Sequence, residues 1–152
     1  MIKVNVEIKN KSWQNKIKNP KKYLKEKLKI VSKTIPFFLK KKINFTILLT
    51  NSITMKKLNR KFRKKNKTTD VLSFPFFSRK KLKSLKEKNI YLGDIALNYE
   101  IINKRAEKKN FLFEFDKTWV HGLLHLLGYN HIKIKDYIRM NRLEKKILNL
   151  LN

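Results

Sequence analysis

Apolar and polar residues alternate from Ile2 to Lys9 (Ile2, Val4, Val6, Ile8), the period of a half-buried strand. The period then lengthens. Tyr23, Leu24, Leu28, Val31 and Ile35 recur at helical spacing, and Pro20 suits a first turn, so the pattern predicts a helix from Pro20 to about Thr34. Pro36 interrupts that pattern or marks its end. Residues Ile43 to Thr50 predict a second strand, and Ser52 is placed to cap a short helix carrying Met55, Leu58, Asn59 and Phe62. A basic, polar loop from Arg63 to Thr69 leads into a short apolar run, Val71 to Phe76, edged by Pro75. Arg79 to Asn89 is Lys-rich and reads as a mobile excursion. Ile90 to Asn98 predicts another strand, in which Gly93 marks a bulge or a close backbone approach. Three helices follow: Tyr99 to about Lys109, a strongly apolar one from Glu114 to Leu127 ended by Gly128, and Asp136 to Leu151 with Ile138, Leu143, Ile147 and Leu150 as its stripe. The expectation is one α+β domain over residues 1–152, with a mixed sheet of about four strands packed by about five helices.

Composition narrows the chemistry. There is no cysteine, which excludes a disulfide framework, a Cys nucleophile and Cys-ligated metal sites, and fits a reducing cytoplasm. No apolar run has the length of a membrane span, and the alternating start has no apolar core like that of a signal peptide, so a cytoplasmic protein without membrane contact is expected. Lys and Arg number 39 against 11 Asp and Glu, a net charge of +28. Such a surface attracts phosphate backbones, although the abundance of Lys, Asn, Ile and Phe also fits AT-rich coding bias. Under that bias the residues that resist it stand out. All three histidines, and two of the three glycines, lie between His121 and His131.

That segment reads His121-Gly-Leu-Leu-His125-Leu-Leu-Gly128-Tyr-Asn-His131. On a helix, His121 and His125 share one face a turn apart, and their imidazoles can converge on one ion. Gly128 breaks the helix and lets His131 approach from another direction. Three neutral imidazoles leave a fourth coordination position open, the pattern of a catalytic zinc site with one ion per chain. The same spacing occurs in a long zinc-protease motif, but here Gly122 stands where that motif has its general-base Glu. Proteolysis by that mechanism lacks its base.

The histidine segment resembles the signature of the YbeY family of bacterial endoribonucleases. Leu58-Asn59 through Phe62-Arg63 to Thr69-Asp70-Val71-Leu72-Ser73-Phe74-Pro75 resembles the same family, as do Leu92-Gly93-Asp94-Ile95, Met140 and Leu143-Glu144. The resemblance implies a zinc-dependent, single-strand-specific endoribonuclease. It implies a role in ribosomal RNA processing, at the 3′ end of the small-subunit 16S RNA, and in ribosome quality control. Single-stranded RNA, ribosomal RNA and the small ribosomal subunit are the implied partners. It makes His121, His125 and His131 the zinc ligands, and Arg63 the functional arginine of a basic channel leading to them. Asn130 replaces the family's usual Asp and can still hydrogen-bond, though without charge. Arg139 stands where the family has an acid.

Cutting a phosphodiester needs charge stabilisation at phosphoryl oxygens, and an Arg fork at Arg63 meets them as Lys cannot. Arg63 and His121 are therefore the expected catalytic pair, with Arg63, Lys64, Lys65 and Lys67 as the RNA-binding cluster. Asp70 could cap a turn, orient Arg63 or position a water. Asp94 could support a ligand or accept a structural hydrogen bond. Phe74 and Leu72 read as core, whereas Phe76 and Phe77 could pack inside or stack on bases. The competing readings are an RNA- or ribosome-binding assembly factor with a structural metal, and a metallohydrolase with another polyanionic substrate.

Overall fold

The computed structural model describes residues 1–152. Its one sheet has the order β1-β2-β4-β3, built from β1 (Ile2–Ile8), β2 (Lys42–Thr50), β3 (Val71–Pro75) and β4 (Asn89–Asn98). The β1–β2 and β2–β4 pairs are parallel and β3–β4 is antiparallel, the mixed α+β sheet the periodicity predicts.

Five helices fall where the sequence places them: α2 (Pro20–Thr34), α4 (Ser52–Arg63), α6 (Tyr99–Ala106), α7 (Phe111–Leu126) and α8 (Ile134–Leu151). Three short ones are additional, α1 (Ser12–Lys16), α3 (Pro36–Lys40) and α5 (Arg79–Ser84). Each of the three is too short to show a period but is pinned by one buried side chain, Trp13, Phe38 and Leu82 respectively. The Lys-rich stretch after Arg79 is therefore not the loose excursion its charge suggests. Ser78 caps α5 by accepting from the Lys81 amide, and Lys41 Nζ donates to the carbonyls of Leu85 and Glu87 at 2.9 and 2.8 Å.

Asparagine does most of the helix capping. Asn19, Asn51, Asn98 and Asn110 each accept a backbone N–H at the start of α2, α4, α6 and α7. Asn51, not Ser52, is thus the cap of α4, and Asn110 starts α7 before Glu114. The inward stripe of α8 also differs from the sequence reading. Met140, Ile147, Leu148 and Leu151 are buried, while Ile138 and Leu150 are about half exposed.

Helix α7 is the spine of the molecule. It lies against β3 and β4 on one sheet face, and its buried Phe115, Trp119, Leu123 and Leu126 enter the main core. Gly122 makes that approach possible. A Cβ there would lie 2.8 Å from Ile95 Cγ2, and Ser73 Oγ donates to the Gly122 carbonyl at 3.0 Å. The position that carries the protease Glu is thus a helix–sheet contact here, facing the sheet rather than a substrate. The opposite sheet face carries α4 and a small cluster of Met55, Leu72 and Ala96.

Candidate metal centre

The last two turns of α7 present His121 and His125, and the chain then reverses. Gly128 has φ +82°, and a Cβ there would strike Arg79 Cβ at 2.4 Å, so both backbone and space call for glycine. His131 returns on the far side of this turn. The nitrogen ligand atoms of the three rings lie within 4.8 Å of one another.

The donor set fits a metal ion. His121 Nδ1 is 3.0 Å from Glu144 Oε2, and His125 Nδ1 is 2.9 Å from the Tyr129 carbonyl. Carbonyl and carboxylate oxygens only accept, so each Nδ1 carries the hydrogen, and in the neutral ring each Nε2 keeps its lone pair. Those two Nε2 atoms face each other at 3.1 Å. Two lone pairs at that separation repel unless a cation stands between them, and two tetrahedral zinc ligands lie about 3.3 Å apart. Burial, then the repulsion a second proton would meet among the neighbouring His121 and His131 imidazoles, pulls the His125 pKa down to about 4, with Arg63 adding to the effect and the Tyr129 bond opposing it. His125 is therefore neutral, the form that ligates.

A cavity of about 700 Å³ runs from the histidines to Arg63, Lys65 and Lys67. Arg63 ends α4 and donates from Nη2 to the Ser73 carbonyl at 2.7 Å, with its guanidinium over the Phe74 ring. Lys64 adopts a left-handed φ of 55° that turns the chain out of the helix, and it does not line the cavity. Buried Asn59 fixes the following loop by donating from Nδ2 to the Lys67 carbonyl at 2.8 Å.

The remaining expected residues divide. Asp70 lines the cavity beside the histidines, but its carboxylate accepts from the Thr69 hydroxyl, the Val71 amide and Arg105, not from Arg63. Asn130 sits in the turn and accepts weakly from the Ile132 amide at 3.4 Å. Asp94 is not brought to the site. It lies on the opposite sheet face, where Tyr91 donates to it and Thr46 meets the same phenol. Of the aromatics, Phe74 packs against the small cluster and Leu72 is buried, Phe77 reaches both core and cavity wall, and Phe76 is 68 % exposed.

The family model of endoribonuclease YbeY matches residues 7–152. The chain belongs to the YbeY endoribonuclease family. It is 45 % identical to the "Endoribonuclease YbeY" of Pelagibacter ubique, over 99 % of this chain and 97 % of that one. Its identity to the Ehrlichia canis protein of the same name is 35 %, over 99 % and 93 % of the two chains. The solution structure of TM1509 from Thermotoga maritima is similar over 99 % of this chain and 89 % of that one, with a TM-score of 0.61 and 26 % identity.

Three site residues of this YbeY-family chain are not assigned a role by sequence pattern. Glu144 was part of the resemblance, yet its bond to His121 depends on how α8 packs on α7. Arg79 closes one wall of the cavity with its guanidinium 4.6 Å from the Tyr129 ring. Asn59 holds the basic loop, and its burial beside exposed Arg60 is a consequence of packing.

Proposed function

We propose that this chain, acting as one domain, is a zinc-dependent endoribonuclease that cuts single-stranded RNA during ribosomal RNA processing, at the 3′ end of the small-subunit 16S RNA. The observation that carries it is the pair of facing Nε2 atoms of His121 and His125 at the end of an Arg- and Lys-lined cavity. Family membership supports the RNA-cleaving part; the resemblance of the motifs supports the ribosomal substrate and the zinc.

His121, His125 and His131 would hold the ion through ring nitrogens, with Glu144 and the Tyr129 carbonyl orienting two of the rings. When bound, it supplies Lewis acidity toward a phosphoryl oxygen and acidifies water at the site. Arg63 places its fork along the phosphate path and balances charge as the phosphoryl group reacts. Lys65 and Lys67 attract the strand; Lys64, outside the cavity wall, adds long-range charge. Gly122 turns its face to the sheet, so no general base comes from the position used by zinc proteases.

Purified protein is assayed on single- and double-stranded RNA, with chelator, with zinc restored, and with His121→Ala prepared in parallel. Chelator-sensitive cleavage of single strands, lost in a folded His121→Ala, is the expected result. Equal cleavage by wild type and variant would trace the activity to a contaminant and sink the reading. Unfolding on removal of the ion, together with no cleavage by the wild type, would favour an assembly factor with a structural metal.

A further inference from the structure

A second cavity opens on the other side of the histidines. It measures about 490 Å³ and shares Asp70, Val71, His121 and His131 with the larger one. Those shared walls put the two cavities side by side, with His121 and His131 lining both. The second lobe has walls of its own: Arg105 from α6, Lys117 from α7, and Tyr137 and Asn141 from α8.

The chemistry of this lobe suits a nucleotide. Asp70 is paired with Arg105, Glu144 accepts a hydrogen bond from the neutral His121 ring and keeps its charge, and the exposed Lys117, which neither carboxylate engages, supplies a cation. Arg105 is held at the edge by Asp70 through Nη1, with its side chain still 50 % exposed. Tyr137 is 54 % exposed and lines the lobe, a ring available for stacking. Asn141 offers an amide that can read a base edge. An enzyme that cuts within a strand must accept chain on both sides of the cut, and the Arg63 side accounts for only one.

We propose that the lobe of Arg105, Lys117, Tyr137 and Asn141 binds the nucleotide on the far side of the scissile phosphate from Arg63, with Lys117 and Arg105 on phosphate and Tyr137 stacked on the base. This rests on the endoribonuclease reading above.

The test compares wild type with Tyr137→Ala, Tyr137→Phe, Lys117→Ala and Lys25→Ala. Lys25 is an exposed lysine on α2 outside both cavities, so it controls for loss of charge alone. Binding of a fluorescent single-stranded RNA is read by anisotropy with ion-free protein across a salt series; cleavage is read with zinc present. Tyr137→Ala is expected to weaken binding and raise KM by about tenfold, with Tyr137→Phe close to wild type. Lys117→Ala is expected to reduce the slope of log affinity against log salt by about 0.7, and Lys25→Ala to leave it unchanged. Wild-type cleavage with binding and KM indifferent to Tyr137 and Lys117, or equal losses in Lys117→Ala and Lys25→Ala, would overturn the subsite alone. Absence of cleavage by wild type, with RNA binding still dependent on Tyr137 and Lys117, would retain the subsite and remove the nuclease reading. A wild type that neither binds nor cleaves RNA would remove both.

Discussion

Glu144 and His121 belong to different helices, and Glu144 Oε2 stands 3.0 Å from His121 Nδ1. The pair couples the packing of α8 on α7 to the orientation of one of the three clustered imidazoles. A carboxylate there favours the Nδ1–H form and raises the basicity of the nitrogen that faces the other rings.

Glu144→Ala should therefore weaken ion binding by about 10- to 100-fold, and Glu144→Gln by less, since an amide oxygen still accepts the hydrogen bond. Only 14 % of the Glu144 side chain is exposed, so a thermal melt of each variant accompanies the measurement to separate folding from ion affinity. Competition with a chromophoric chelator measures the affinity, and unaltered affinity in Glu144→Ala would show that the contact does not support the ligand.

Gly122→Ala tests the helix–sheet contact. Alanine gains about 1 kcal/mol of helix propensity over glycine. Against this, its Cβ would come within 2.8 Å of Cγ2 of the fully buried Ile95. Overpacking of that kind costs about 1–3 kcal/mol, so a net loss of about 1 kcal/mol in urea unfolding is expected. In an Ile95→Ala background, which lacks Cγ2, Gly122→Ala should cost less than in the wild type if that clash is the cause.

Arg63→Lys keeps the charge but loses the fork that donates to the Ser73 carbonyl and that, in the proposed function, would also meet a phosphate. Single-turnover cleavage should slow by about 10²-fold, in the range found for removal of one preorganised donor. RNA affinity should fall much less. Equal losses in rate and affinity would assign Arg63 to strand binding alone.

The far end of α7 carries a pH-dependent network. The buried Asp116 carboxylate accepts from Tyr23 Oη at 2.9 Å and Trp119 Nε1 at 2.8 Å, with Lys27 Nζ 3.2 Å away. Burial, then the Asp116 charge, raises the Tyr23 pKa far above the ordinary 10; burial also raises that of Asp116, against the pull of its donors. Folded protein thus retains the Tyr23 proton at pH values where the unfolded chain releases it. Tyr23 contributes stability below pH ~10 that declines as pH rises beyond it. Tyr23→Phe should be less stable by about 1 kcal/mol at pH 7 for loss of the hydrogen bond. The gap to wild type should narrow above pH ~10, as thermal unfolding across pH 8–11 would measure. A gap that widened with pH would mean that the phenol ionises readily in the folded state.

Much of the molecule was legible in the chain. Alternation located β1, apolar runs located the other strands, helical patterns located the five longer helices, and the spacing of His121, His125 and His131 around Gly128 brought out a cluster that could hold a metal ion. These signals are local. A strand or helix period is set by backbone geometry within a few residues, and two ligands on one helical face need no distant partner.

What the tertiary structure decided is everything that depends on which surfaces meet. Gly93 adds one residue to β4, so that Asn44 pairs with Tyr91 but Thr46 with Asp94. The bulge reverses the alternation, puts Asp94 on the face of Tyr91, and removes it from the histidines. The packing of α8 on α7 chose Met140, Ile147, Leu148 and Leu151 as the inward stripe and gave Glu144 to His121. Approach of α7 to the sheet made Gly122 a contact, and a single buried Leu82 turned a run of lysines into a helix. In each case the deciding contact joins residues far apart in sequence, and its free energy outweighs a local preference of only a few tenths of a kcal/mol to about 1 kcal/mol.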